Sequence, residues 1–188
     1  MKQGNRENLR DKAGNFLELF TVLSVGFVLL ASEVYRYVYV SRDFWGSTML
    51  IPIFVSSYYT NFLCTFPVNF EYYHKKTKVV SIITIASSLV NVGLNYLLIL
   101  RIGMAGAAVA TLISHSLQLT LHYLYVRFVL GGKEYPFPLK MWGRYAAVFA
   151  ALAVASVAAD GLWLARWGLG AAIGAWELLR IRKRKVLI

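Results

Sequence analysis

The sequence predicts an all-α membrane protein, a bundle of about six transmembrane helices with the N and C termini cytoplasmic. Three observations carry this expectation. The 188 residues are 58% hydrophobic and 15% charged, with a mean hydropathy of +0.55. A soluble domain of this length has too little interior to hide so much apolar surface. Apolar runs of membrane-crossing length recur along the chain, and the basic residues gather in alternate gaps between them.

Taken in order, residues 1–14 are a basic segment, followed by apolar spans near 15–31, 45–66, 79–100, 105–126, 145–159 and 162–176, and then a basic tail, 177–188. Each run is read as a helix, because a segment in lipid must satisfy its own backbone hydrogen bonds. The first span is not read as a signal peptide. Glu7 and Asp11 mix the charge before it, Glu18 interrupts its apolar core, and no small-residue cleavage site follows Leu30. The fifth and sixth runs are short and are joined at Asp160-Gly161, so they call for local thinning of the bilayer or little tilt.

Orientation follows from Lys and Arg. Lys2, Arg6, Arg10 and Lys12 precede the first span. Lys75, Lys76 and Lys78 follow the second, Arg127, Lys133, Lys140 and Arg144 follow the fourth, and Arg180, Arg182, Lys183, Arg184 and Lys185 close the chain. Of the 20 basic residues, only Arg36, Arg42, Arg101 and Arg166 fall on the other side. Both termini are therefore expected inside. Aromatic belts agree, with Tyr35, Tyr37, Tyr39, Phe44 and Trp45 at one interface and Phe70, Tyr72, Tyr73, Trp142 and Tyr145 at the other.

Polar side chains inside spans are the places to look for function. Asn91 and Asn95 share a face of the third span, and His115, Gln118 and His122 form a stripe on the fourth. Interhelical hydrogen bonding is the alternative role for these residues, and simple interfacial solvation for His122, which lies nearer the cytoplasmic end. Glu18 either snorkels, makes a local pair or serves coupling. Pro52 is expected to kink the second span above Ser56, Ser57, Tyr58, Tyr59 and Asn61. Candidate pathway residues are thus Asn91, Asn95, His115, Gln118, Tyr58, Asn61 and Glu18. The small residues Gly103, Gly106, Ala107 and Ala110, spaced by four, read as a packing device.

No catalytic constellation, metal-spaced cluster or phosphate-binding glycine loop is visible, so no enzyme, metal or cofactor is expected. The lone Cys64 lies in an apolar run and reads as a small buried hydrophobe. The net charge of +11 is accounted for by the membrane surface, without nucleic acid.

The stretches Pro67-Val68-Asn69-Phe70-Glu71-Tyr72-Tyr73-His74-Lys75-Lys76-Thr77-Lys78, Asn91-Val92-Gly93-Leu94-Asn95-Tyr96-Leu97-Leu98-Ile99 and Gly103-Met104-Ala105-Gly106-Ala107-Ala108-Val109-Ala110-Thr111-Leu112-Ile113-Ser114 resemble the polysaccharide flippases of the MATE-like exporter superfamily. The resemblance covers residues 15–130, with Leu100 standing where many relatives carry proline. It implies the C-terminal half of a transporter that moves undecaprenyl-diphosphate-linked oligosaccharide across the bacterial cytoplasmic membrane for surface polysaccharide biosynthesis. It also implies alternating access by rocking bundles, a polar lumen, contact with membrane lipid, and a partner: the missing N-terminal bundle or a second copy. The alternatives are a MATE-like multidrug antiporter, which requires a carboxylate deep in a span, and a noncatalytic membrane scaffold or remnant.

Overall fold

The computed structural model describes residues 3–35, 47–131, 135–158 and 162–184. Among these the chain forms six α-helices and no strand: α1 (Gln3–Val34), α2 (Ile51–Tyr73), α3 (Thr77–Ile102), α4 (Met104–Phe128), α5 (Leu139–Ala158) and α6 (Trp163–Arg184). Four helical stretches are long and apolar enough to cross a membrane, Asn8–Ala31, Ser47–Tyr73, Thr77–Ile102 and Met104–Phe128. At about 1.5 Å per residue each exceeds the roughly 30 Å of a hydrocarbon layer. Several hydroxyl side chains inside these helices fold back on the carbonyl four residues earlier, as Thr21 does on Leu17 (2.6 Å) and Ser114 on Ala110 (2.8 Å), whereas the buried Ser87 hydroxyl has no partner among the described residues. The folded-back hydroxyls add no unmet polarity to a span.

Among the described residues, the expectation of six crossing helices is met by length and composition in four. The apolar part of α5 is the shorter stretch Trp142–Val154. α6 carries Arg166, Glu177 and Arg180 and continues through Arg184, so most of the tail placed at 177–188 is helical. α1 likewise takes in the basic N-terminal segment from Gln3 onward. The expected start of the second span at Trp45, the aromatic residues Tyr37, Tyr39 and Phe44, the joint at Asp160-Gly161 and the cations Lys2, Arg36, Arg42, Lys133 and Lys185 lie outside the described residues.

The chain divides into two compact units. The first comprises residues 1–55 and 139–188, and the second residues 56–138. In the first unit α1 packs against α5 and α6. Leu17, Val25, Val28 and Leu29 form its buried stripe, and Trp142, Phe149 and Ala153 are buried on α5. The spacings of eight and three from Leu17 through Val25 to Val28, and of seven and four from Trp142 through Phe149 to Ala153, are those of one helix face.

In the second unit α3 and α4 form a close antiparallel pair across one residue, Gly103, whose φ of 60° and ψ of −140° suit glycine far better than any L side chain. The pairing runs at the backbone. A Cβ on Gly106 would stand 2.5 Å from the carbonyl carbon and oxygen of Leu98. Gly106, Ala110 and Ser114, four apart, are all buried. The small-residue device is therefore Gly106 with Ala110, whereas Gly103 makes the turn and Ala107 is only half-buried. The rest of α3 is apolar and open, with Ile82, Ile85, Leu89, Val92 and Leu100 exposed, a surface that suits lipid and not water.

Candidate functional site

The polar centre of the second unit is built at the end of α2, where hydropathy falls but the helix continues. Pro67 lies inside α2 and Pro52 in its first turn, directly after the 3-10 turn of residues 47–50. Pro52 therefore stands where the 3-10 turn passes into α2. A proline in a first turn removes an amide that has no helical partner in any case.

α2 stops at a C-terminal cap. Lys76 N–H donates to the Glu71 carbonyl and Lys75 N–H to the Tyr72 carbonyl, both at 2.9 Å, while Lys75 adopts a φ of 57°. This is the Schellman arrangement with lysine at the position usually held by glycine. It ties the Glu71 backbone to the turn and holds its side chain on the face shared by Leu63, Cys64, Pro67 and Phe70, all buried.

Glu71 and His122 of α4 are both fully buried. His122 Nδ1 lies 2.9 Å from one carboxylate oxygen of Glu71 and 3.0 Å from the other. Ionised carboxylate oxygens only accept, so facing them Nδ1 carries the proton. His122 Nε2, equally enclosed, has no hydrogen-bond partner. Among the described residues, Cys64 of α2, Tyr123 of α4 and Tyr135 are further titratable groups at this end of the unit.

The residues between α4 and α5 cover this end of the unit. Tyr135 packs edge-on against Phe70 with ring centroids 5.1 Å apart, and Phe137 does the same against Phe66 at 5.2 Å. Burial pushes the Tyr135 phenol far above its ordinary range, with Tyr123, Cys64 and Glu71 adding to the effect. It therefore stays neutral.

Seven residues before His122 on α4, His115 makes a second link to α2. Its Nδ1 is 2.8 Å from Ser57 Oγ and 3.0 Å from the Ser57 carbonyl oxygen. The ring of Tyr58 tilts over it at 6.3 Å, although Tyr58 itself is exposed. Two imidazoles on one face of α4 thus both engage α2.

The other expected pathway residues are dispersed. Asn95 Nδ2 donates to the carbonyl and the side-chain oxygen of Asn91, at 3.0 and 2.9 Å, so the two are linked to each other within α3. Gln118 donates to Thr84 across the α3–α4 pair at 3.4 Å, and Asn61 is exposed. Glu18 belongs to the first unit and pairs with Arg180 of α6, which also holds Glu177 at 2.9 Å and lies over the Trp176 ring. Of the roles open to Glu18, the local pair is the one realised.

Sequence reasoning missed Glu71, because 67–78 read as a connection and carboxylates were sought only within spans, and it gave His122 interfacial solvation, which full burial corrects. A signal was present: continuing the helical period from Leu63 and Cys64 through Pro67 brings Phe70 and Glu71 onto the same face. Among the described residues no group of three His, Cys, Asp or Glu side chains is placed to hold a metal. Compared with known protein families, curated proteins and solved structures, the chain matches none.

Proposed function

We propose that this chain is half of a multi-pass membrane transporter that moves a lipid-linked oligosaccharide, of the undecaprenyl-diphosphate kind, across a bacterial cytoplasmic membrane for surface polysaccharide synthesis. The resemblance of residues 67–114 to polysaccharide flippases supports the substrate class. The observation that carries transport is the pair of polar links between α2 and α4, the part-buried Ser57–His115 and the fully buried Glu71–His122. Ionisable groups held inside a membrane bundle mark pathways for polar cargo. The second bundle that such a cavity requires is supplied by an N-terminal half or a second copy of this chain. Both termini are assigned to the cytoplasm by the basic residues.

The test uses the full chain in vesicles carrying a fluorescent undecaprenyl-diphosphate oligosaccharide, with a membrane-impermeant quencher reading the outer leaflet. Protein-containing vesicles are expected to lose the protected inner-leaflet signal faster than empty ones, and His115→Leu is expected to insert normally but slow that loss. Equal rates with and without correctly inserted chain would defeat the reading. A second reading, an antiporter for cationic small molecules, is favoured by one observation, the buried Glu71 carboxylate. Gradient-driven efflux of a cationic dye from the same vesicles, with no movement of the glycolipid, would select it.

A further inference from the structure

The Glu71–His122 contact is more than a strut. With one proton on Nδ1 and the carboxylate ionised, the pair carries a net charge of −1 and is fully enclosed. No described cation other than His122 itself pairs with Glu71. A second proton on Nε2 neutralises the pair but places a charged N–H where no acceptor stands. Among the described residues either state leaves one electrostatic demand unmet, a net charge in a low dielectric or an orphaned donor.

The other groups facing the pair do not relieve this. Cys64 on α2, Tyr123 on α4 and Tyr135 from the connecting segment are neutral or, when ionised, negative. His74, one turn beyond Glu71, stacks on Phe70 with ring centroids 4.5 Å apart, and its own Nε2 is buried without a partner. The site is therefore one in which proton number and local structure are tied together.

We propose that Glu71 and His122 form a binding site for one exchangeable proton, taken up and released at His122 Nε2, and that this proton is the cation coupled to transport. The coupling half of the proposal rests on the transporter reading above; the binding half does not. Uptake converts carboxylate and neutral imidazole into carboxylate and imidazolium, with the proton drawn from bulk water and no covalent bond changed. Because α2 and α4 each supply one partner, the proton count acts directly on the contact that joins them.

The test is a proton titration of the full chain in lipid nanodiscs with no oligosaccharide present. With ¹⁵N-labelled histidine, His122 Nε2 is expected to move between its unprotonated and protonated shifts as the pH is lowered. The change should vanish in Glu71→Gln, together with one bound proton per chain. A His122 signal that stays in one protonation state throughout the titration overturns the proposal, and this reading needs only the wild-type chain. So does a Glu71→Gln variant, shown to be helical and inserted, whose proton binding superimposes on wild type. In the vesicle assay an imposed pH gradient should change the wild-type flipping rate but not that of Glu71→Gln; equal gradient sensitivity overturns the coupling half. Loss of flipping altogether would defeat the transporter reading while leaving the titration result standing.

Discussion

The two units of the chain hold their helices together by different means. In the second unit α3 meets α4 at the backbone, with Gly106 pressed on the Leu98 carbonyl, and α2 meets α4 through the fully buried Glu71–His122 pair. In the first unit the Glu18–Arg180 ion pair between α1 and α6 is partly open, whereas the Arg166 link between the same helices is buried. Arg180 and Glu18 retain 11% and 21% side-chain exposure, and the Arg166 guanidinium donates to the carbonyls of Val28 and Leu29 at 3.3 and 3.1 Å. Glycines of the first unit also leave space, since a Cβ on Gly26 or Gly174 would meet nothing within 4 Å. Enclosed contacts with no slack are intolerant of change, whereas wetted ones with room to relax are forgiving.

That contrast can be broken most forcefully at Glu71. His122→Leu leaves a buried carboxylate without its partner and is expected to cost about 3–5 kcal/mol, while Glu71→Leu with His122→Leu together should recover most of it. Detergent-titrated unfolding followed by helical circular dichroism reads both, and a single variant as stable as wild type would show that the pair is not enclosed. Next in size, Gly106→Val should destabilise the α3–α4 pair by about 3 kcal/mol, because the clashing atoms belong to backbone and cannot swing aside. The matched Gly26→Ala in the first unit should be neutral or slightly stabilising. If both glycines respond alike, the difference between the units is not one of packing.

Smaller effects sharpen the comparison. Lys75→Gly removes the left-handed strain at the cap of α2 and should stabilise the second unit by about 1 kcal/mol. Glu18→Gln should cost the first unit less than about 1 kcal/mol and lose even that in high salt, as expected of a solvent-screened pair. A salt-independent loss of several kcal/mol there would mean that Glu18 is shielded from water.

Much of this architecture is legible in the sequence because lipid imposes a simple rule. An apolar run of sufficient length must be a helix, so α1 to α4 announce themselves. The end of α2 is not legible by that rule. Hydropathy falls at Pro67 and Asn69, but helix geometry is ended by hydrogen bonds, and these lie beyond His74. Pro52 and Pro67 look equally disruptive in one dimension, and only the place where the helix starts distinguishes them. α6 runs on past its apolar run, whose residues share a helix with Arg166, Glu177 and Arg180. The candidate site fared worse for a similar reason. Asn91 and Asn95 are close enough in sequence to link to each other, so conspicuous polarity proved partly spent locally. Glu71 and His122 stand 51 residues apart, and their meeting depends on how α2 lies against α4, which no spacing rule encodes.

The one-residue joint at Gly103 also constrains how the protein is made. Two helices of 26 and 25 residues separated by a single glycine cannot enter a bilayer as independent events, since neither has tether enough to wait for the other. In a bilayer such a pair would enter as one pin with Arg101 near its tip, and the cost of moving that charge would fall on both helices at once.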